Sequence, residues 1–139
     1  MKILIMGLPG SGKTTLAEEL QRHLNCAWYN ADVIRKMAND WEFSDDARNR
    51  QAYRMRLLAD VEKDNDKTVI CDFVCPTKNT RSIFNTDITI WMNTIKESRF
   101  NDTNNIFEKP EDVNIMITEW LADKDIELLV EKLKKEYYV

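Results

Sequence analysis

The order of apolar runs in this chain predicts an α/β fold, a parallel sheet of about five strands with helices on both faces. Three observations carry that reading. Short apolar or β-branched runs alternate with segments of helical period along the sequence, the pattern of strands joined by helical crossovers. The strongest run, residues 68–74, is apolar almost throughout rather than alternating, as a strand buried on both faces must be. The first run, residues 2–6, passes through a glycine-rich turn directly into a helical pattern.

That turn is Gly7-Leu8-Pro9-Gly10-Ser11-Gly12-Lys13-Thr14, which matches G-x-x-x-x-G-K-[ST] in its strand–loop–helix setting. All three glycines of the protein lie in it. Glycine admits positive φ, so successive N–H groups can point inward at a phosphate chain. The helix starting near Lys13 adds free N–H groups and the positive end of its dipole. Lys13 offers charge to β- and γ-phosphates, and the Thr14 hydroxyl suits Mg²⁺. The stretch predicts ATP and Mg²⁺ as cofactors, bound through Gly7, Pro9, Gly10, Ser11, Gly12, Lys13, Thr14 and Thr15.

Along residues 14–24, Leu16, Ala17, Leu20 and Leu24 share one helical face. A short second strand spans 27–29. Asp32 then reads as the cap of a helix over 33–38, with Arg35 one turn on. A carboxylate and a guanidinium thus stand at the carboxyl end of a strand, where open α/β sheets build their sites. The plainer alternative is a helix cap with a surface arginine. Ser44 caps a long helix whose inward stripe reads Arg48, Gln51, Ala52, Met55, Leu58 and Ala59. Its polar first turns require a partner, either an anionic ligand or a neighbouring carboxylate.

Asp72 near the end of the 68–74 strand is a second candidate carboxylate, placed to hold Mg²⁺ or its water. Cys75-Pro76-Thr77 turns the chain into a helix carrying Lys78 and Arg81. A fourth strand covers 88–92, and a short helix over 95–100 carries Arg99. Residues 101–110 are polar and aperiodic, and a lid over about 100–112 is expected to close over phosphates. A fifth strand over 113–117 precedes a helix capped by Asp123, with Ile126, Leu129, Val130, Leu133 and Tyr137 inward.

Composition narrows the function further. The 139 residues are 43% hydrophobic and 32% charged, which fits one domain over residues 1–139. The net charge of −4 speaks against a nucleic-acid partner, since backbone affinity comes from clustered Lys and Arg. Cys26, Cys71 and Cys75 lack C-x-x-C spacing and His23 is the sole histidine, which argues against zinc. A strand from residue 2 leaves no room for a signal peptide, and no apolar run has membrane-spanning length. The expectation is a cytoplasmic protein.

The same features in the same order resemble the adenylylsulfate kinase family of P-loop kinases. Residues 7–14 match its phosphate loop, and Asp32-Val33-Ile34-Arg35 match its acceptor segment. Phe43-Ser44 with Arg48 match the next block, with Gln51 where the family has Asn. Cys75-Pro76 stand where it has Ser-Pro, with Arg81 downstream, and residues 97–99 resemble the arginine before its lid. The resemblance covers about residues 1–100. It implies a P-loop kinase fold and transfer of the ATP γ-phosphate to the 3′-hydroxyl of adenylylsulfate, in sulfate assimilation. It departs in lacking the family's Lys-Gly-Leu-Tyr lid segment and its Phe-Thr-Gly stretch.

On this reading Lys13, Asp32 and Arg99 are catalytic, and Thr14 and Asp72 hold the metal. The acceptor side comprises Asp32, Arg35, Phe43, Arg48, Gln51, Pro76, Lys78 and Arg81. The partner is a small molecule, adenylylsulfate or another nucleotide-like alcohol, and a homodimer is left open. A polynucleotide, nucleoside or nucleotide kinase is one competing reading. A nucleotide-binding regulator without catalysis is the other.

Overall fold

A computed structural model describes all 139 residues. Five strands, β1 (Lys2–Met6), β2 (Ala27–Asn30), β3 (Val69–Asp72), β4 (Ile88–Met92) and β5 (Ile115–Ile117), form one sheet in the order β2-β3-β1-β4-β5. Every neighbouring pair is parallel. Helices α1 (Lys13–Leu24), α2 (Ala31–Ala38), α3 (Asp45–Asp64), α4 (Lys78–Phe84), α5 (Asn101–Ile106) and α6 (Asp123–Tyr137) fill the connections. This is the P-loop kinase fold. No helix is long and apolar enough to cross a membrane.

Side chains two apart along a strand point to the same face, and β1 feeds both cores in this way. Ile3 and Ile5 join Leu16, Leu20, Ile90 and Leu133 under α1 and α6. Leu4 and Met6 join Met55, Cys71, Phe84 and Trp91 under α3 and α4. Lys2 is the exception, a lysine only 2% exposed. Its ammonium is satisfied by Asp60 at 2.7 Å, the Phe84 carbonyl at 2.8 Å and the Phe84 ring at 4.9 Å.

The connection out of β1 runs to one side of the sheet, and that into β4 lies on the other. Strand order therefore reverses at β1, and a crevice opens at its carboxyl end. Register sets what faces that crevice, since Ile5 and Asn30 both pair with Asp72.

Several local expectations are corrected. The cap of α2 is Asn30, whose side chain accepts from the Val33 N–H at 3.1 Å, so Asp32 sits inside the first turn. Residues 95–100 are not helical; the helix lies one step later, at α5, inside the stretch expected to be an aperiodic loop. Asn104 holds that turn by bonding Ser98 through both its amide nitrogen and its oxygen, local chemistry with no apolar period. Strand β5 spans only three residues. At α6 the Ala122 N–H donates to Asp125, so Asp123 is a first-turn acid rather than the cap.

Candidate active site

The crevice is a cavity of about 710 Å³ floored by the ends of β2 and β3. At one end stands the phosphate loop. A Cβ on Gly7 would come within 2.6 Å of the Met92 carbonyl oxygen, so only glycine lets the loop leave the sheet there. Gly12, at φ 99°, has the Trp120 ring lying over it where a Cβ would go. Pro9, Gly10, Gly12, Lys13, Thr14 and Thr15 all line the cavity. Gly7 and Ser11 lie beneath it instead. Ser11 is fully buried, and its Oγ is the one buried side-chain polar atom without a partner.

Lys13 bends back to donate to the Leu8 carbonyl at 3.0 Å. Burial brings its pKa down to about 8, against the opposing pull of the Asp72 and Asp32 carboxylates. The Thr14 hydroxyl donates to Asp72 at 3.0 Å. Asp72 also accepts from Trp28 Nε1 at 2.6 Å and from the Asn30 amide at 3.1 and 3.2 Å. Burial still raises the pKa of Asp72, with those donors and Lys13 working the other way. A hydroxyl and a carboxylate side by side next to a phosphate loop fit a hard cation such as Mg²⁺, which takes oxygen ligands and keeps waters and phosphate oxygens.

Across the cavity α2 and the start of α3 supply the second end. Asp32 is exposed on its wall. Arg35 and Arg48 flank one ring, with their guanidinium carbons 4.4 and 5.3 Å from the Phe43 centroid. Arg35 donates to the Asp40 and Glu42 carbonyls at 3.0 and 2.9 Å. Arg48 donates to the Phe43 carbonyl at 2.9 Å, and its far nitrogen reaches Thr103 and Asp102 on α5 at 3.3 and 3.4 Å. Gln51 donates to the Ala31 carbonyl at 2.9 Å and accepts from Arg54. The polar first turns of α3 thus find partners within the chain, mostly main-chain carbonyls. Pro76 and Arg99 also line the wall, the latter over the Phe100 ring at 5.0 Å.

Two residues expected on the acceptor side lie elsewhere. Lys78 is exposed and pairs with Glu111 at 3.4 Å. Arg81 turns away to the Cys75, Pro76 and Glu108 carbonyls and stacks on Phe107. It braces the backbone at Cys75, which holds φ 47°. Conversely, Trp28, Trp41, Phe100 and Trp120 carry no motif, yet Trp28 holds Asp72 and the other three line the cavity. An aromatic just past a strand, in polar surroundings, was the one signal for Trp120.

Comparison with known proteins bears on this geometry. Residues 3–112 match the family model described as "AAA domain". A curated protein of Aeropyrum pernix, named probable adenylyl-sulfate kinase, is 33% identical over 90 residues. The match covers 58% of this chain and 48% of that protein, so it spans about half of the relative's length. Among solved structures, a hexameric adenylylsulfate kinase from Thiobacillus denitrificans superposes with a TM-score of 0.78 at 25% identity, over 99% of this chain and 29% of that one. The Mycobacterium tuberculosis adenylylsulfate kinase in complex with AMPPNP and adenylylsulfate gives 0.76 at 15% identity, over 96% and 97%. The resemblance seen in the motifs thus recurs in sequence and in fold.

Proposed function

We propose, for a chain that belongs to the AAA domain family, that it is an Mg-ATP-dependent kinase of a small nucleotide-like alcohol, with the 3′-hydroxyl of adenylylsulfate as the acceptor. One observation carries the proposal. A phosphate loop and an arginine-flanked aromatic ring face each other in one cavity, with the Asp32 carboxylate on the wall between them. A planar cationic clamp suits a base bearing an anionic group better than a saturated ring. The curated relative's name supports the same acceptor.

Phosphoryl transfer asks for positioning and charge neutralisation more than covalent help. Lys13 and the loop N–H groups would bind the β- and γ-phosphates. Thr14 and Asp72 would hold Mg²⁺, which supplies charge neutralisation there. Asp32 would accept the proton of the acceptor hydroxyl as its oxygen attacks the γ-phosphorus and the bond to ADP breaks. Phe43, Arg35 and Arg48 would fix the acceptor base and anion, lined further by Gln51 and Pro76. Arg99 would neutralise the moving phosphoryl group as a lid over residues 100–112 closes. Arg48 already meets Asp102 and Thr103 on that segment, so acceptor binding and lid position share a residue.

The test is ATP consumption against adenylylsulfate, nucleosides, nucleoside monophosphates and a 5′-hydroxyl oligonucleotide. Adenylylsulfate should be turned over with weak salt dependence, whereas a polynucleotide acceptor would lose affinity steeply with salt. Asp32→Asn should lower turnover ~10²-fold or more with ATP affinity nearly unchanged. Full turnover in that variant would remove Asp32 from the chemistry. Tight ATP binding with no ADP from any acceptor would leave only a nucleotide-binding protein.

A further inference from the structure

The phosphate loop contains one peptide plane whose direction is set from outside the loop. The Ser11 N–H donates to the Leu8 carbonyl at 3.1 Å, and the Leu16 N–H donates to the Gly12 carbonyl at 3.1 Å. Between those two bonds lies the Ser11–Gly12 peptide. Its carbonyl accepts from the Thr94 hydroxyl at 2.7 Å and from no other group. Its other end, the Gly12 N–H, donates to no group of the chain. The Ser11 side chain gives no help, because its Oγ is buried without a partner.

This peptide is trans, so its oxygen and its amide hydrogen point in opposite directions. Gly12 lines the cavity, whereas Ser11 and Thr94 do not. A hydroxyl that draws the oxygen away from the cavity therefore turns the N–H toward it. Glycine would also permit the reverse. Turning the plane over takes Gly12 from a φ of 99° to a negative φ, which glycine adopts about as readily. The carbonyl oxygen would then face the phosphates and repel them.

We infer that Thr94 is a positioning residue for phosphate binding. Its hydroxyl holds the Ser11–Gly12 peptide in the orientation that presents an amide donor to the phosphate chain of a nucleotide. Thr94 lies two residues beyond β4, and the Asn93 N–H before it donates to the Ile117 carbonyl of β5 at 2.7 Å. The tether thus stands on the sheet, outside the loop that it orients. A donor fixed in advance spares the ligand the cost of ordering it. The inference rests on the reading that the loop binds a nucleoside triphosphate, and adds a residue that lies outside the loop motif.

Calorimetric binding of ATP and of inorganic tripolyphosphate to the full chain tests it in wild type, Thr94→Val and Thr94→Ser. Thr94→Val removes the donor and should weaken both ligands about tenfold, since the lost contact serves phosphate rather than base. Thr94→Ser keeps the hydroxyl and should restore most of the affinity. All three glycines of the chain lie in this loop, so isotopic labelling of glycine alone makes its amides visible by magnetic resonance. In Thr94→Val the Gly12 amide signal should broaden or split between two peptide orientations while the Gly7 signal stays in place. Wild-type affinity in Thr94→Val, or equal losses in Thr94→Val and Thr94→Ser, overturns the inference and leaves nucleotide binding standing. A wild type that binds neither ligand overturns the nucleotide reading and the inference with it.

Discussion

Nucleotide binding by this protein should fall as pH rises through a range in which most lysines stay charged. The Lys13 ammonium is held at a pKa of about 8 against an ordinary 10.5, burial being the main cause. The empty site is then about nine-tenths charged at pH 7 and about one-tenth charged at pH 9. A triphosphate needs the charged form and stabilises it, so apparent affinity should drop by nearly tenfold per pH unit above 8. At pH 8.5 binding should draw about three-quarters of a proton from solution. Calorimetry in two buffers of different ionisation enthalpy reads that uptake directly, and Lys13→Arg should abolish it. The contribution of Lys13 to the stability of the nucleotide-free protein moves the opposite way. The folded pKa lies below the unfolded one, so between about pH 8 and 10.5 the unfolded chain binds more protons. The cost of burying the charged ammonium is present below that window and is relieved as pH rises through it. The Cys26, Cys71 and Cys75 thiols, pushed up by burial, pull stability down over the same range, so the Lys13 contribution is read as the difference in denaturant stability between wild type and Lys13→Met. Flat affinity from pH 7.5 to 9.5, or binding without proton uptake, would refute the assignment of the phosphate charge to a desolvated Lys13.

Substitutions at two contacting pairs probe the frame around the site. Gly12→Ala forces a β-carbon into the Trp120 ring at a φ of 99°, with backbone strain of about 1–2 kcal/mol; nucleotide affinity should fall and tryptophan fluorescence should shift. Gly12→Ala combined with Trp120→Ala clears the overlap but keeps the strained φ, so only part of the affinity should return, and full return would make the ring contact the whole effect. At the far end of β1, Asp60→Asn should destabilise the fold by about 3 kcal/mol because it strands the buried Lys2 ammonium. Lys2→Met should cost less, since Asp60 is 36% exposed and water can solvate it; equal losses in urea unfolding would show that the pair, rather than the stranded charge, sets the cost.

The parts of this protein that were legible in its sequence are those whose physics is local. Apolar runs and helical periods give the order of strands and helices, because burial on a sheet face or helix stripe repeats every few residues. The phosphate loop is legible because its glycines, lysine and threonine are contiguous. The cap of α2 was misplaced by two residues since Asn30 and Asp32 have equal chemistry for the role. What decides it is that β2 runs on through Asn30, whose φ of −89° and ψ of 130° are still extended. Helix α5 escaped because five polar residues and Ile106 carry no period, and the Asn104–Ser98 bonds that hold it can be counted only once folded. Arg81 has the charge for an anion site, but three main-chain carbonyls of the Cys75 turn and the Glu108 segment claim it first. The same reasoning explains Asp72. Its donors Trp28 and Asn30 are more than forty residues away in sequence, and register alone aligns Asn30 with it across the sheet. A carboxylate that binds a cation beside a phosphate loop must be buried without being left bare. Here the edge strand supplies those donors, so a change in β2 register would disturb the carboxylate proposed to hold Mg²⁺ without touching any residue of the loop.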